Sequence, residues 1–160
     1  MHFGGRTVRC WRLVAVAALA IGASGCIRTI SPARNFDAYE HKAKDTAESV
    51  LSSVQTARLA AGVGTDGDAF GPYVSVLLSE SEDAAAKAQG SFDRVQPPDA
   101  WSDATRTRLG RLLDRSNDGL SRLRISARRG ELDRLARQAK QLRRLATQLR
   151  TFIDDPGPRA

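Results

Sequence analysis

Four apolar stripes in helical register, separated by glycine and proline, constrain this chain more than any other feature. The last stripe is the clearest. Leu132, Leu135, Ala139, Leu142, Ala146, Leu149 and Ile153 recur in alternating steps of three and four, and Leu145 and Phe152 widen the band. Such steps put side chains on one face of a 3.6-residue helix, whereas a half-buried strand would alternate. Pro156-Gly157-Pro158 ends the stripe, and residues 154–160 read as a flexible tail.

The other three stripes follow the same rule. Asn35 is a good N-cap with Asp37 in the first turn behind it. Phe36, Tyr39, Ala43, Ala47, Val50, Val54, Ala57 and Ala61 form the first stripe, closed by Gly62-Val63-Gly64-Thr65-Asp66-Gly67. The second helix starts between Asp68 and Pro72, since proline suits a first turn. Its predicted face is Phe70, Val74, Leu77, Ala84, Ala88, Phe92 and Val95, with Ser81 filling the gap. Gln96-Pro97-Pro98 breaks it. The third begins near Asp99 and turns Leu109, Leu112, Leu113, Leu120, Leu123 and Ala127 inward. Asn117 falls within that span as a buried or a boundary polar residue, and Gly130 fits the left-handed position that closes a helix.

Four amphipathic segments of similar length with short links predict an all-α fold: an antiparallel up-down four-helix bundle over residues 35–153. Two long hairpins that pair into a bundle by dimerising are the alternative. Hydrophobic content of 41% is enough for a packed core. Cys10 and Cys26 both precede the folded region, so no disulfide can staple it.

The first 26 residues carry a different pattern. Arg6, Arg9 and Arg12 precede the uncharged run Leu13 to Ile21, and small residues Gly22-Ala23-Ser24-Gly25 lead to Cys26. A positive start, a short apolar core and small residues make a secretory signal peptide. The apolar run is short for a transmembrane helix, which needs about 20 residues. A permanent anchor that also uses the small residues remains the alternative. Ala23-Ser24-Gly25-Cys26 resembles the lipobox of bacterial lipoproteins, with Ala23 where leucine is commonest. The resemblance implies that the Cys26 thiol is diacylglycerylated and the chain cut before it. Residues 1–25 would then be the signal peptide and 26–34 the lipidated cysteine and tether, with Pro32 opposing a helix there. An ordinary signal peptide with a chance cysteine is the competing reading. Each buried methylene contributes about 0.8 kcal/mol, so two acyl chains hold firmly where one binds marginally. The chain is also similar in general character to small helical lipoproteins of high-GC Gram-positive bacteria. That resemblance implies the extracytoplasmic face of the cell membrane.

Charge is divided along the folded region. Asn35 to Asp93 holds ten acids and four bases; Arg94 to Arg150 holds fifteen bases and six acids. Such a split fits either a polyanion partner or acidic helices lying beside basic ones. Asp103–Arg106, Arg111–Asp114, Glu131–Arg134, Asp118–Arg122 and Asp133–Arg137 stand three or four apart and can meet on a helix face. Arg108, Arg111, Arg115, Arg122 and Arg129 form one heptad-spaced row, and Arg137 with Arg144 a shorter one. These seven are the candidate anion-binding face, and a solvated structural face is the plainer reading. In the expected compartment the partners would be anionic lipid, an envelope polymer or an acidic protein face, not nucleic acid.

Catalytic patterns are scarce. No thiol follows Cys26, His41 is the only histidine after it, and the only methionine is Met1. Paired Glu-x-x-His, Cys-x-x-Cys-His, Gly-x-Ser-x-Gly and Gly-Lys-Ser/Thr motifs are missing. Asp66 and Asp68 suggest a calcium loop, but the twelfth position is Leu77, where an EF-hand needs glutamate. Tyr39 and Lys42 stand three apart and read as a core tyrosine with a surface lysine. Trp101 reads as a packed lid on the bundle end. No cofactor or metal is implied. The expectation is a binding or scaffolding module that is not an enzyme. A small-molecule sensor or carrier using the bundle interior is the alternative, and an enzyme of unknown type the second.

Overall fold

The computed structural model describes residues 35–66 and 71–157. The expectations for the signal segment, Cys26 and its tether, Asp68, Phe70 and the last three residues fall outside these. Four helices follow one another: α1 Phe36–Thr65, α2 Gly71–Asp93, α3 Ala100–Arg128 and α4 Leu132–Asp154. Among the described residues there is no strand, and no helix is long and apolar enough to cross a membrane.

The ends form where local chemistry asks for them. Asn35 is extended, and its side-chain oxygen accepts the Ala38 N–H at 2.9 Å. Asp99 does the same for Ser102 at 2.7 Å. Each cap satisfies one of the N–H groups that a helix start leaves without an intrahelical partner. Gly130 adopts φ 67°. Its N–H donates to Ala127 O, and the Glu131 N–H donates to Ser126 O. This pair of bonds is the Schellman closure, which needs a left-handed residue and so favours glycine.

Cross-helix contacts fix an antiparallel up-down order. Tyr39 at the start of α1 packs on Phe92 at the end of α2, ring centroids 5.6 Å apart. A Cβ on Gly119 of α3 would come 2.7 Å from a Leu142 methyl of α4, so glycine lets these two helices close up. Arg108 near the start of α3 reaches the Asp155 carbonyl just past the end of α4. The α1–α2, α2–α3, α3–α4 and α1–α4 pairs touch, and so does the diagonal α1–α3 pair, while α2 and α4 do not. The cross-section is therefore a rhombus. Short buried side chains explain the close diagonal: Ala43, Ala47, Ala57, Ala60 and Ala61 on α1, and Ser102, Thr105 and Ser116 on α3. Axes approach more closely when the side chains between them are small.

The core follows the predicted stripes of α1 and α3, with two shifts elsewhere. On α2 the buried residues are Val74, Leu78, Ser81, Ala85 and Phe92. Leu77 and Ala88 are half-buried and Ala84 is exposed. The predicted face is thus rotated by about one residue. The runs Val76-Leu77-Leu78 and Ala84-Ala85-Ala86 fit more than one phase of a helix. On α4, Leu132 stays 52% exposed, while Phe152 is fully buried. The C-terminal segment is also held further than expected. Pro156 is buried, and Arg108 bonds the Asp155 carbonyl at 2.9 Å.

Candidate functional site

The basic side of the bundle is built by α3 and α4. Arg108, half-buried, lies 5.5 Å over the Phe152 ring while donating to Asp155 O. One turn on, the Arg115 Nε–H donates to the Arg111 carbonyl at 3.0 Å. Arg108, Arg111 and Arg115 line one open groove between α3 and α4 with Leu112, Gln148 and Thr151, about 220 Å³ in volume. No carboxylate lines it, and none of the three arginines forms an ion pair among the described residues. An adjoining open groove of about 550 Å³ is lined by Arg111, Asp114 and Arg115.

The remaining four candidates are not gathered there. Arg137 lines a separate groove at the α3–α4 turn, about 620 Å³, with Gly130, Glu131, Leu132, Asp133 and Arg134. Acids and bases are mixed in that groove. Arg122, Arg129 and Arg144 are exposed and line none of these three grooves. The two rows, one along α3 and one on α4, thus become one compact cluster and four separate surface charges. Sequence spacing singled out the arginines but missed Gln148 and Thr151, which enter the groove only through the α3–α4 register.

Neutralisation differs from the expected local pairing. Of the five predicted pairs, Glu131–Arg134 forms, at 2.9 Å. Arg106 instead donates to the carbonyls of Asp93 and Val95 and clamps the α2–α3 link. Asp114, expected to serve Arg111, accepts from Gln89 Nε2 of α2 at 2.7 Å. Gln89 in turn accepts from Asn117, which is half-buried at that seam. Farther along the seam Glu82 holds Arg124, and Arg128 reaches Ser79 Oγ at 3.2 Å. The hydrogen bond that Arg124 donates to the Glu82 carboxylate raises the Arg124 pKa above its ordinary value. Acid and base therefore meet at the α2–α3 seam, whereas the α3–α4 groove keeps its charge.

The other singled-out residues fall into place. His41 is 80% exposed, 3.8 Å from Asp45, and among the described residues no three His, Cys, Asp or Glu gather as metal ligands. Tyr39 is fully buried and Lys42 exposed, so they share no site. Trp101 remains 46% exposed and is not the lid expected of it. Tyr39, Phe92 and Phe152 fill the core at that end. Burial, with Asp103 and Asp93 near, pushes the Tyr39 phenol up to about 12 against the opposing pull of Arg106. Comparison of the chain with protein-family models, curated proteins and solved structures finds no match.

Proposed function

We propose that the protein is an extracytoplasmic lipoprotein, anchored through Cys26, that binds an anionic partner of the cell envelope with the arginine side of its helical bundle. The observation that carries this reading is the α3–α4 groove, where Arg108, Arg111 and Arg115 converge without a carboxylate partner among the described residues. Charges of one sign left together in a groove raise the local concentration of opposite charge. Basic residues near an anionic surface contribute about 1 kcal/mol each. The pattern Ala23-Ser24-Gly25-Cys26 supports the anchor.

Two measurements test the two halves. Cys26→Ser should shift the intact protein from the membrane fraction to the soluble one; unchanged retention would overturn the lipid anchor. The bundle segment 31–160 is one compact unit that holds every core residue among the described residues, from Tyr39 to Phe152, and can be tested alone. It should bind phosphatidylglycerol vesicles better than phosphatidylcholine ones, less so as salt rises. Equal, salt-insensitive binding would overturn the anionic partner.

A further inference from the structure

We infer that the α3–α4 groove is a site for a phosphate group, a proposal that rests on the anionic-partner reading and narrows it to one groove and one chemistry. The donors are arranged for a multi-sided acceptor. Arg111 is exposed and, among the described residues, its guanidinium is uncommitted, while Arg115 spends only its Nε–H, on the Arg111 carbonyl. Arg108 is held by the Asp155 carbonyl through one terminal nitrogen and by the Phe152 ring beneath it. Its other terminal nitrogen and its Nε make no bond among the described residues. Gln148 adds a neutral amide from α4. Thr151 gives its hydroxyl proton to the Thr147 carbonyl and serves as wall rather than donor.

These positions argue for phosphate over a carboxylate. A carboxylate presents two oxygens in a plane, which one guanidinium fork satisfies. Three guanidiniums entering from successive turns of α3 call for more oxygens, pointing in several directions, and for more charge. A tetrahedral phosphate supplies both. Two of the three side chains are already tied to backbone carbonyls, so less rotamer freedom is lost on binding. Asp114 lines the adjoining groove with Arg111 and Arg115 but not this one, and its carboxylate accepts a hydrogen bond from Gln89 of α2.

The test titrates the 31–160 bundle with inorganic phosphate, against chloride at equal ionic strength, and follows amide shifts by NMR. Saturable shifts should centre on residues 108–115 and 148–151. The double variant Arg111→Gln/Arg115→Gln should weaken affinity at least about tenfold, whereas Arg122→Gln/Arg129→Gln should leave it within about twofold. All four side chains are exposed, and an unchanged far-UV spectrum confirms that the variants are folded. Phosphatidylglycerol vesicles form the second arm. Vesicle binding that is lost with Arg111 and Arg115 identifies a lipid headgroup; saturable phosphate binding without vesicle binding identifies a soluble phosphate. Absence of saturable shifts, or equal loss in both double variants, overturns the site. Vesicle binding that survives loss of Arg111 and Arg115 but not of Arg122 and Arg129 overturns the groove alone and leaves the wider basic-face reading standing.

Discussion

The two hairpins of the bundle pack in different ways, most visibly where α1 is set against α3 and α4. Beyond Tyr39 at its start, helix α1 of the first hairpin packs mainly through small side chains: five of its buried residues are alanine, joined by Val50, Val54, Thr46 and Ser53. The second hairpin packs through leucine and Phe152, with Leu109, Leu112, Leu113, Leu120 and Leu123 on α3 and Leu135, Leu142 and Leu149 on α4. Small side chains bring backbones together and let α1 touch all three other helices. Large ones fill the space that α3 and α4 leave between them. The hairpins differ in charge as well, acidic against basic, and only part of that difference is cancelled where they meet. The lesson is that each half should fail in its own way: the first when a side chain grows, the second when one shrinks.

The largest expected effect comes from shrinking the second hairpin. Phe152 is fully buried and lies beneath Arg108. Phe152→Ala should cost roughly 3–5 kcal/mol by denaturant unfolding, because a large cavity opens and relaxes only partly. A loss below about 1 kcal/mol would mean that α4 ends loosely and the contrast is false.

Next is the pH response where the hairpins meet. The Tyr39 pKa lies at about 12 in the fold, above the ordinary 10. Below about pH 9 both states keep the proton, and the group does not alter stability. Between 10 and 12 the unfolded chain releases it and the folded one does not, so stability falls with rising pH, by roughly 2–3 kcal/mol in all. Tyr39→Phe should remove this alkaline loss. Near neutral pH it should be neutral or slightly stabilising, since the buried hydroxyl has no hydrogen-bond partner among the described residues. Parallel stability curves for both proteins from pH 9 to about 12 would contradict the assignment.

Growth in the first hairpin comes third. Ala47 is fully buried on the alanine face of α1. Ala47→Leu should destabilise by about 1–3 kcal/mol, since the added methylenes have no space to enter. The same change at exposed Ala84 of α2 should be close to neutral. Equal effects at the two sites would break the argument from close packing.

The smallest effect concerns the seam that joins the hairpins. Glu82 and Arg124 are each about three-quarters buried. Glu82→Gln should cost about 1 kcal/mol and become less costly as salt rises, as measured by urea unfolding. A loss as large as that of Phe152→Ala would make electrostatics, rather than packing, the main link between the halves.

Much of the fold was legible because a helix face is a local property. Asn35, Asp99 and Gly130 mark their helix ends through bonds to residues at most five away, and all three form as expected. The stripes of α1 and α3 contain few consecutive apolar residues, so their phase is unambiguous. On α2 the apolar runs permit neighbouring phases, and its contacts with α1 and α3 select among them. Local ion pairs were the least legible part. Spacing of three or four allows a pair but does not require it, and Arg106 and Asp114 find partners on other helices.

Periodicity and capping, acting within a few residues, determined that this chain makes four helices, where they begin and which faces turn inward on three of them. Tertiary structure alone decided the rhombic cross-section, the Gln89–Asn117 and Glu82–Arg124 seam, and the grouping of three among seven candidate arginines. The reason is range. Helix formation is set by neighbours along the chain, whereas a groove between helices depends on how closely two axes approach and in what register, and that depends on side chains far apart in sequence.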